Sequence, residues 1–118
     1  MALVVATLVA MSPSCASTNA LTAPVMTPDG VRFTFMHSEA RSVALAGAFN
    51  EWSASSRPLS RIRSSGVWTI VVPLPPGEHL FMYVVDGTQW VSPQVAEDYV
   101  DDRFGARNGV VVVRPKER

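Results

Sequence analysis

From Asp29 onward, apolar side chains recur at every second residue, and no stretch of useful length carries the spacing of an amphipathic helix. Val31, Phe33 and Phe35 alternate with Arg32, Thr34 and Met36, a half-buried strand entered from the Asp29-Gly30 turn and left over residues 37–41. Residues 42–48 read as a second strand. A polar loop, 50–56, leads to a short, ambiguous strand over 59–63, and Ser64-Ser65-Gly66 turns the chain into 67–74. Trp68, Ile70, Val72 and Leu74 share one face of that strand. Pro75-Pro76-Gly77 reads as the turn of a hairpin into 78–85, and Asp86-Gly87 as the turn of another into 88–91. Residues 93–108 read as a long, polar, acidic loop before the last strand, 110–113. Six or seven short antiparallel strands with frequent turns predict an all-β sandwich of immunoglobulin-like type.

A chain of 118 residues has room for one such domain. Ten Lys and Arg balance ten Asp and Glu, which argues against nucleic acid as a partner, because phosphate binding relies on a basic surface. The small basic groups Arg57/Arg61/Arg63 and Arg114/Lys116/Arg118 read as solvated faces. Cys15 is the sole cysteine, so no disulfide forms within the chain. Residues 2–11 are apolar except for Thr7, and small residues follow to Ala20. The run is too short to span a bilayer, which takes about 20 residues, but it fits the core of a secretory signal. No Lys or Arg precedes it, so either the signal is atypical or the start lies upstream of Met1. A second reading makes Cys15 the acylated cysteine of a lipoprotein, although Ser12-Pro13-Ser14 departs from the order that such a site wants. A third makes residues 1–21 an ordinary N-terminal segment. The expectation is a signal or tether over 1–21 and one domain over 22–118, exported to a periplasmic or extracellular setting. Cys15 would be its one route to a membrane.

The residues that could carry chemistry are aromatic and amide. Val43 to Gly47 alternate like a strand, and Ala48-Phe49-Asn50-Glu51-Trp52 then present an aromatic, an amide and an indole on a polar loop. A tryptophan beside hydrogen-bonding groups offers a flat apolar plate to the C–H face of a sugar, with amides for the rim hydroxyls. Trp90 lies just past the Asp86-Gly87 turn on a short strand. Each of Trp52 and Trp90 reads as an exposed plate or as an aromatic that caps the open end of the sandwich. Trp68 is in phase with core residues and reads as core. An enzyme reading finds no Gly-x-Ser-x-Gly, no phosphate loop and no His-Glu-x-x-His. Of the carboxylates, Glu97, Asp98, Asp101 and Asp102 share one loop, not the two sides of a glycosidase cleft. That acidic run reads as solvated in preference to a calcium site, since the spacing of an EF-hand is absent.

Four ordered blocks carry a resemblance: Leu45-Ala46-Gly47-Ala48-Phe49-Asn50-Glu51-Trp52, Leu74-Pro75-Pro76-Gly77-Glu78-His79, Tyr83-Val84-Val85-Asp86-Gly87-Thr88-Gln89-Trp90 and Phe104-Gly105-Ala106-Arg107-Asn108. Residues 31–113 resemble the glycogen-binding domain of AMP-activated protein kinase β-subunits and the related early-set modules of isoamylases and branching enzymes. The resemblance implies Trp52 and Trp90 as plates for glucose rings, Phe104 as a wedge in the curve of the glucan, and Asn108 as a partner for sugar hydroxyls. Met82 stands where the kinase domain has a lysine, Ala106 replaces a threonine, and Trp90 arrives one residue late. Loss of a charge-assisted donor and of a hydroxyl each weakens binding by about 1 kcal/mol or more. The expectation is therefore a non-catalytic module that needs no cofactor and binds α-1,4-glucan through Trp52, Trp90, Phe104, Asn108 and Met82. The alternative is a structural or protein-interaction sandwich that has lost the sugar.

Overall fold

The computed structural model describes residues 22–103 and 105–115. The 1–21 segment with Cys15, and the candidate wedge Phe104, lie outside the described residues. Nine strands are present among them: β1 (Val25–Thr27), β2 (Gly30–Met36), β3 (Val43–Gly47), β4 (Ser60–Arg61), β5 (Val67–Val72), β6 (Gly77–Val85), β7 (Gln89–Val91), β8 (Asp98–Asp101) and β9 (Arg107–Val113). They form two antiparallel sheets, ordered β1-β2-β5-β4 and β3-β6-β9-β8, with β7 also paired to β6. The all-β sandwich expected from the alternation is the observed architecture.

Alternation decides what fills the space between the sheets. Val31, Phe33, Phe35, Trp68 and Val72 of the first sheet meet Val43, Leu45, Phe81, Tyr83, Val85 and Val111 of the second in one buried core. Two aromatic pairs cross from sheet to sheet, Phe33 with Phe81 at 5.0 Å edge-on and Phe35 with Tyr83 at 4.6 Å between centroids. The polar tips of the core aromatics find partners, as burial requires. Trp68 Nε1 donates to the His37 carbonyl at 3.0 Å, and the Tyr83 hydroxyl donates to the Thr34 carbonyl at 3.4 Å. Burial pushes the Tyr83 phenol far above its ordinary range, so it stays a donor.

Two connections differ from the sequence reading. Pro75-Pro76-Gly77 does not close a hairpin: β5 lies in the first sheet and β6 in the second, so the chain crosses the sandwich there. Pro73, Pro75 and Pro76 have no N–H to continue a ladder, and the segment leaves one sheet before it can join the other. The 93–108 loop is also not continuous, since β8 pairs with β9 from Asp98↔Val110 to Asp101↔Arg107. As an edge strand β8 hydrogen-bonds on one side, and its exposed Asp98 and Asp101 suit a solvated edge. That polarity hides it from a search for apolar alternation.

The Asp86-Gly87 hairpin is present as expected, with φ of 53° and 77° at its two residues. Asp86 Oδ1 accepts from the Arg41 and Ser42 amides at 2.7 and 3.1 Å, which ties the turn to the start of β3. These backbone donors, Arg41 first, hold the carboxyl below its ordinary pKa. A depressed folded pKa means that the contribution is present above the unfolded value and is lost as pH falls through the folded one. Thermal melts at pH 7 and at about pH 3 should therefore separate wild type from Asp86→Asn more at the higher pH. An equal gap at both would refute the assignment.

Candidate carbohydrate site on the outer face of the second sheet

The outward-facing residues of β3 and of the end of β6 are buried, although a sandwich normally leaves such residues to water. Ala46 and Val84 are fully buried, Ala44 is 8% exposed and Met82 4%. Trp52 and Ala54 pack over the Ala44, Ala46 and Val84 cluster. The loop after β3 thus folds back across the sheet and makes a second, small apolar centre outside the main core.

Local chemistry explains the fold-back. At Gly47 the chain passes so close to β6 that an added Cβ would meet the Phe49 ring at 2.3 Å and the Leu80 carbonyl at 2.4 Å. A single 3-10 turn, Ala48–Asn50, follows. Asn50 then closes the loop: its Oδ1 accepts from the Gly47 amide at 2.9 Å, and its Nδ2 donates to the Leu45 carbonyl at 3.0 Å and to Ser56 Oγ at 3.2 Å. The Trp52 amide donates to the Gly47 carbonyl at 2.9 Å. Glu51 and Trp52 both take φ of 58°, the left-handed region, which costs about 1 kcal/mol for each non-glycine residue. These two strained residues turn the indole back onto the sheet.

The sequence reading displayed Phe49, Asn50 and Trp52 together, and the structure divides them. Phe49 packs against the main core, with its ring 6.3 Å from that of Phe33. The Asn50 amide bonds to its own loop instead of facing outward. Trp52 alone reaches the outer face, half-buried on its alanine and valine floor.

Trp90 reaches the same face from the other side. It stands opposite Val84 in the β6–β7 ladder and is 44% exposed. Its extra residue relative to the kinase pattern is absorbed in the turn between Val85 and Gln89, which pair across the ladder. Trp90 therefore keeps the outward parity of Met82 and Val84. Met82 lies opposite Ala46 on β6, and Asn108 opposite Val100 near the start of β9. Trp52, Met82, Trp90, Asn108 and Asp102 line one open concavity of about 310 Å³. Four of the five sequence candidates thus come together, and the fifth, Phe104, is among the residues not described.

Asp102 is the member that sequence reasoning missed, because it reads there as one of several solvated acids. Its amide donates to the Ala106 carbonyl at 3.0 Å, and its Oδ1 accepts from the Ala106 amide at 3.0 Å. That reciprocal pair ties Asp102 to Ala106, the residue before β9. The one available signal was its position at the edge of the Phe104–Asn108 block. Concavities of about 380 and 400 Å³ elsewhere have no aromatic ring among their lining residues, so neither offers a stacking surface.

Residues 30–118 match the family described as the glycogen recognition site of AMP-activated protein kinase. The chain belongs to that family. The chain is also similar to part of several 1,4-alpha-glucan branching enzymes GlgB. It is 43% identical to that of Bacillus caldolyticus over 56 residues, 48% of this chain and 8% of the enzyme. It is 51% identical to GlgB 1 of Streptomyces avermitilis over 57 residues, 46% of this chain and 7% of the enzyme. With the enzyme of Pseudomonas syringae it shares 39% over 66 residues, 55% of this chain and 9% of the enzyme. The chain thus spans less than a tenth of these relatives' length. Among the described residues, no helix is long and apolar enough to cross a membrane. Nor do three or more His, Cys, Asp or Glu among them gather where a metal ion could be held.

Proposed function

We propose that the protein is a non-catalytic α-1,4-glucan-binding module in which Trp52 and Trp90 are the stacking plates. Met82 forms the apolar floor between them, Asn108 bonds sugar hydroxyls, and Phe104 is the wedge that the family resemblance assigns. One observation supports this above the others: an indole from the loop after β3 and another from β7 converge on one open concavity that also holds an amide. A flat apolar plate takes the C–H face of a pyranose, and neighbouring polar groups fix its orientation. A surface this shallow binds one short sugar modestly, since water competes for every hydroxyl. Repeated sites along a polymer raise the effective affinity.

The competing reading, a protein-interaction module that no longer binds sugar, has its own support. Val25, Ile62 and Val71 are exposed on the outside of the first sheet. Electrophoresis through native gels that contain glycogen, amylose or no polysaccharide separates the two. Retardation by either glucan, weakened about tenfold or more in Trp90→Ala, supports sugar binding. Trp90 is 44% exposed, so its loss should leave the fold intact. Equal mobility in all three gels would favour the protein-interaction reading.

A further inference from the structure

The acidic edge strand β8 carries one apolar side chain that the fold leaves uncovered. Asp98, Val100 and Asp101 are exposed, with Val100 at 45%. A single exposed valine is ordinary on a protein surface, and its β-branched shape suits a strand. What distinguishes this one is its register. Residues directly opposite each other in a ladder share a face, and Val100 stands opposite Asn108, which lines the indole concavity. The β6–β9 ladder, Leu80↔Val110 and Phe81↔Gly109, carried one step further sets Met82 beside Asn108. Met82 in turn stands opposite Ala46, an alanine of the floor beneath Trp52. One row of side chains thus crosses the outer face: Ala46 under its indole, Met82, Asn108 and Val100. With strands about 4.8 Å apart, Val100 lies about 5 Å beyond Asn108 and about 14 Å from Ala46.

Along the strands the surface offers less. Val110, two residues from Asn108 and on the same face, is 4% exposed, and its partner Asp98 is charged. Open apolar surface therefore continues from the concavity toward β8. We infer that Val100 is the outermost contact of the glucan site, an apolar shelf that makes the site prefer long chains to short ones. This inference rests on the glucan-binding reading and adds to it a contact residue and a chain-length preference. A short oligosaccharide occupies the concavity between the indoles. A longer one that runs on across the strands passes Asn108 and lays the C–H face of a further sugar on Val100. Partial burial of one valine adds a few-fold in affinity. A β-branched side chain on a strand is already stiff, so little rotamer freedom is lost when a sugar settles on it.

The test is calorimetric titration of the full chain with maltotriose and with maltoheptaose. Wild type should bind maltoheptaose more tightly. Val100→Thr keeps the branched shape and exchanges a methyl for a hydroxyl, so it should lose about threefold for maltoheptaose and nothing for maltotriose. Val100→Trp sets a larger plate at the same place and should gain about threefold for maltoheptaose alone. Unchanged maltoheptaose affinity in either variant, or an equal change for both sugars, would overturn the role of Val100 and leave the indoles in place. If wild type bound neither sugar, the glucan-binding reading itself would fall. Val100 is exposed on an edge strand, so both variants should melt like wild type, and if one folds poorly the other decides. The opposite shifts for maltoheptaose suffice where maltotriose binds too weakly to titrate.

Discussion

Trp52→Ala should abolish retention by glycogen and, unlike Trp90→Ala, also destabilise the fold by about 2 kcal/mol. The double effect follows from where the ring lies. Its inner face covers Ala44, Ala46 and Val84, which point away from the main core and are dry because the loop is there. Removing the indole returns that floor to water and leaves a hollow that the short alanine side chains cannot fill. The ring's other role, as a plate for glucose, is lost at the same time, at a cost of about thirtyfold in affinity for a truncated anchor of this size. Trp52→Phe should recover most of the stability and part of the retention, since a smaller ring still covers the alanines. Chemical denaturation and affinity electrophoresis on the same samples measure both quantities. A Trp52→Ala protein that binds like wild type at an equal folded fraction would remove Trp52 from the site.

Asn50→Ala is expected to be at least as damaging, by a different route. The side chain makes three bonds inside its own loop, to the Gly47 amide, the Leu45 carbonyl and Ser56 Oγ. Gly47 and Leu45 are buried, and stranding their polar groups brings the loss to about 3 kcal/mol. Those bonds also hold Glu51 and Trp52 in left-handed backbone that neither residue prefers, so the indole should leave the sheet when they go. Binding and stability would fall together. Asn50→Asp keeps an acceptor for Gly47 but sets an anion against the Leu45 carbonyl, so it should not rescue either property. An amide that served as a direct sugar contact would behave otherwise, with affinity reduced and the melting temperature unchanged. That outcome would return Asn50 to the ligand surface and break the account of how Trp52 is placed.

The two variants together also bear on why this face of the sandwich is unusual. From the 48–56 loop Phe49 packs against the main core, but the pairs that join the two sheets, Phe33–Phe81 and Phe35–Tyr83, are made without it. The second apolar centre adds little volume and is built with two strained residues. Strain of that kind persists where the surroundings over-determine it, and here those surroundings aim a large flat ring at a concavity. The branching-enzyme relatives are similar to this chain over less than a tenth of their own length. What the rest of those enzymes does is therefore a separate matter from what this surface holds.

The strands over 30–36 and 67–72 were legible because apolar alternation puts Val31, Phe33, Trp68 and Val72 on inward faces, and the strand over 77–85 because a run of apolar residues follows the Pro75-Pro76-Gly77 turn signal. The Asp86-Gly87 turn was legible because few residue pairs accept positive φ twice in succession. Such local rules act within a few residues, so the order of residues was enough to state them, and with them the all-β class and the candidate rings. Partnership across the molecule was not open to that reasoning. Whether Pro75-Pro76-Gly77 joins two strands of one sheet or crosses between sheets depends on which strands pair, and pairing is settled by packing far along the chain. β8 escaped notice for the same reason, being an edge strand defined by its neighbour and not by its own apolarity. Asn50 facing inward, Trp52 lying on Ala44 and Ala46, and Asp102 standing beside two indoles are likewise consequences of three-dimensional closure. Periodicity says which way a side chain points from its own strand, and only the folded chain says what it points at.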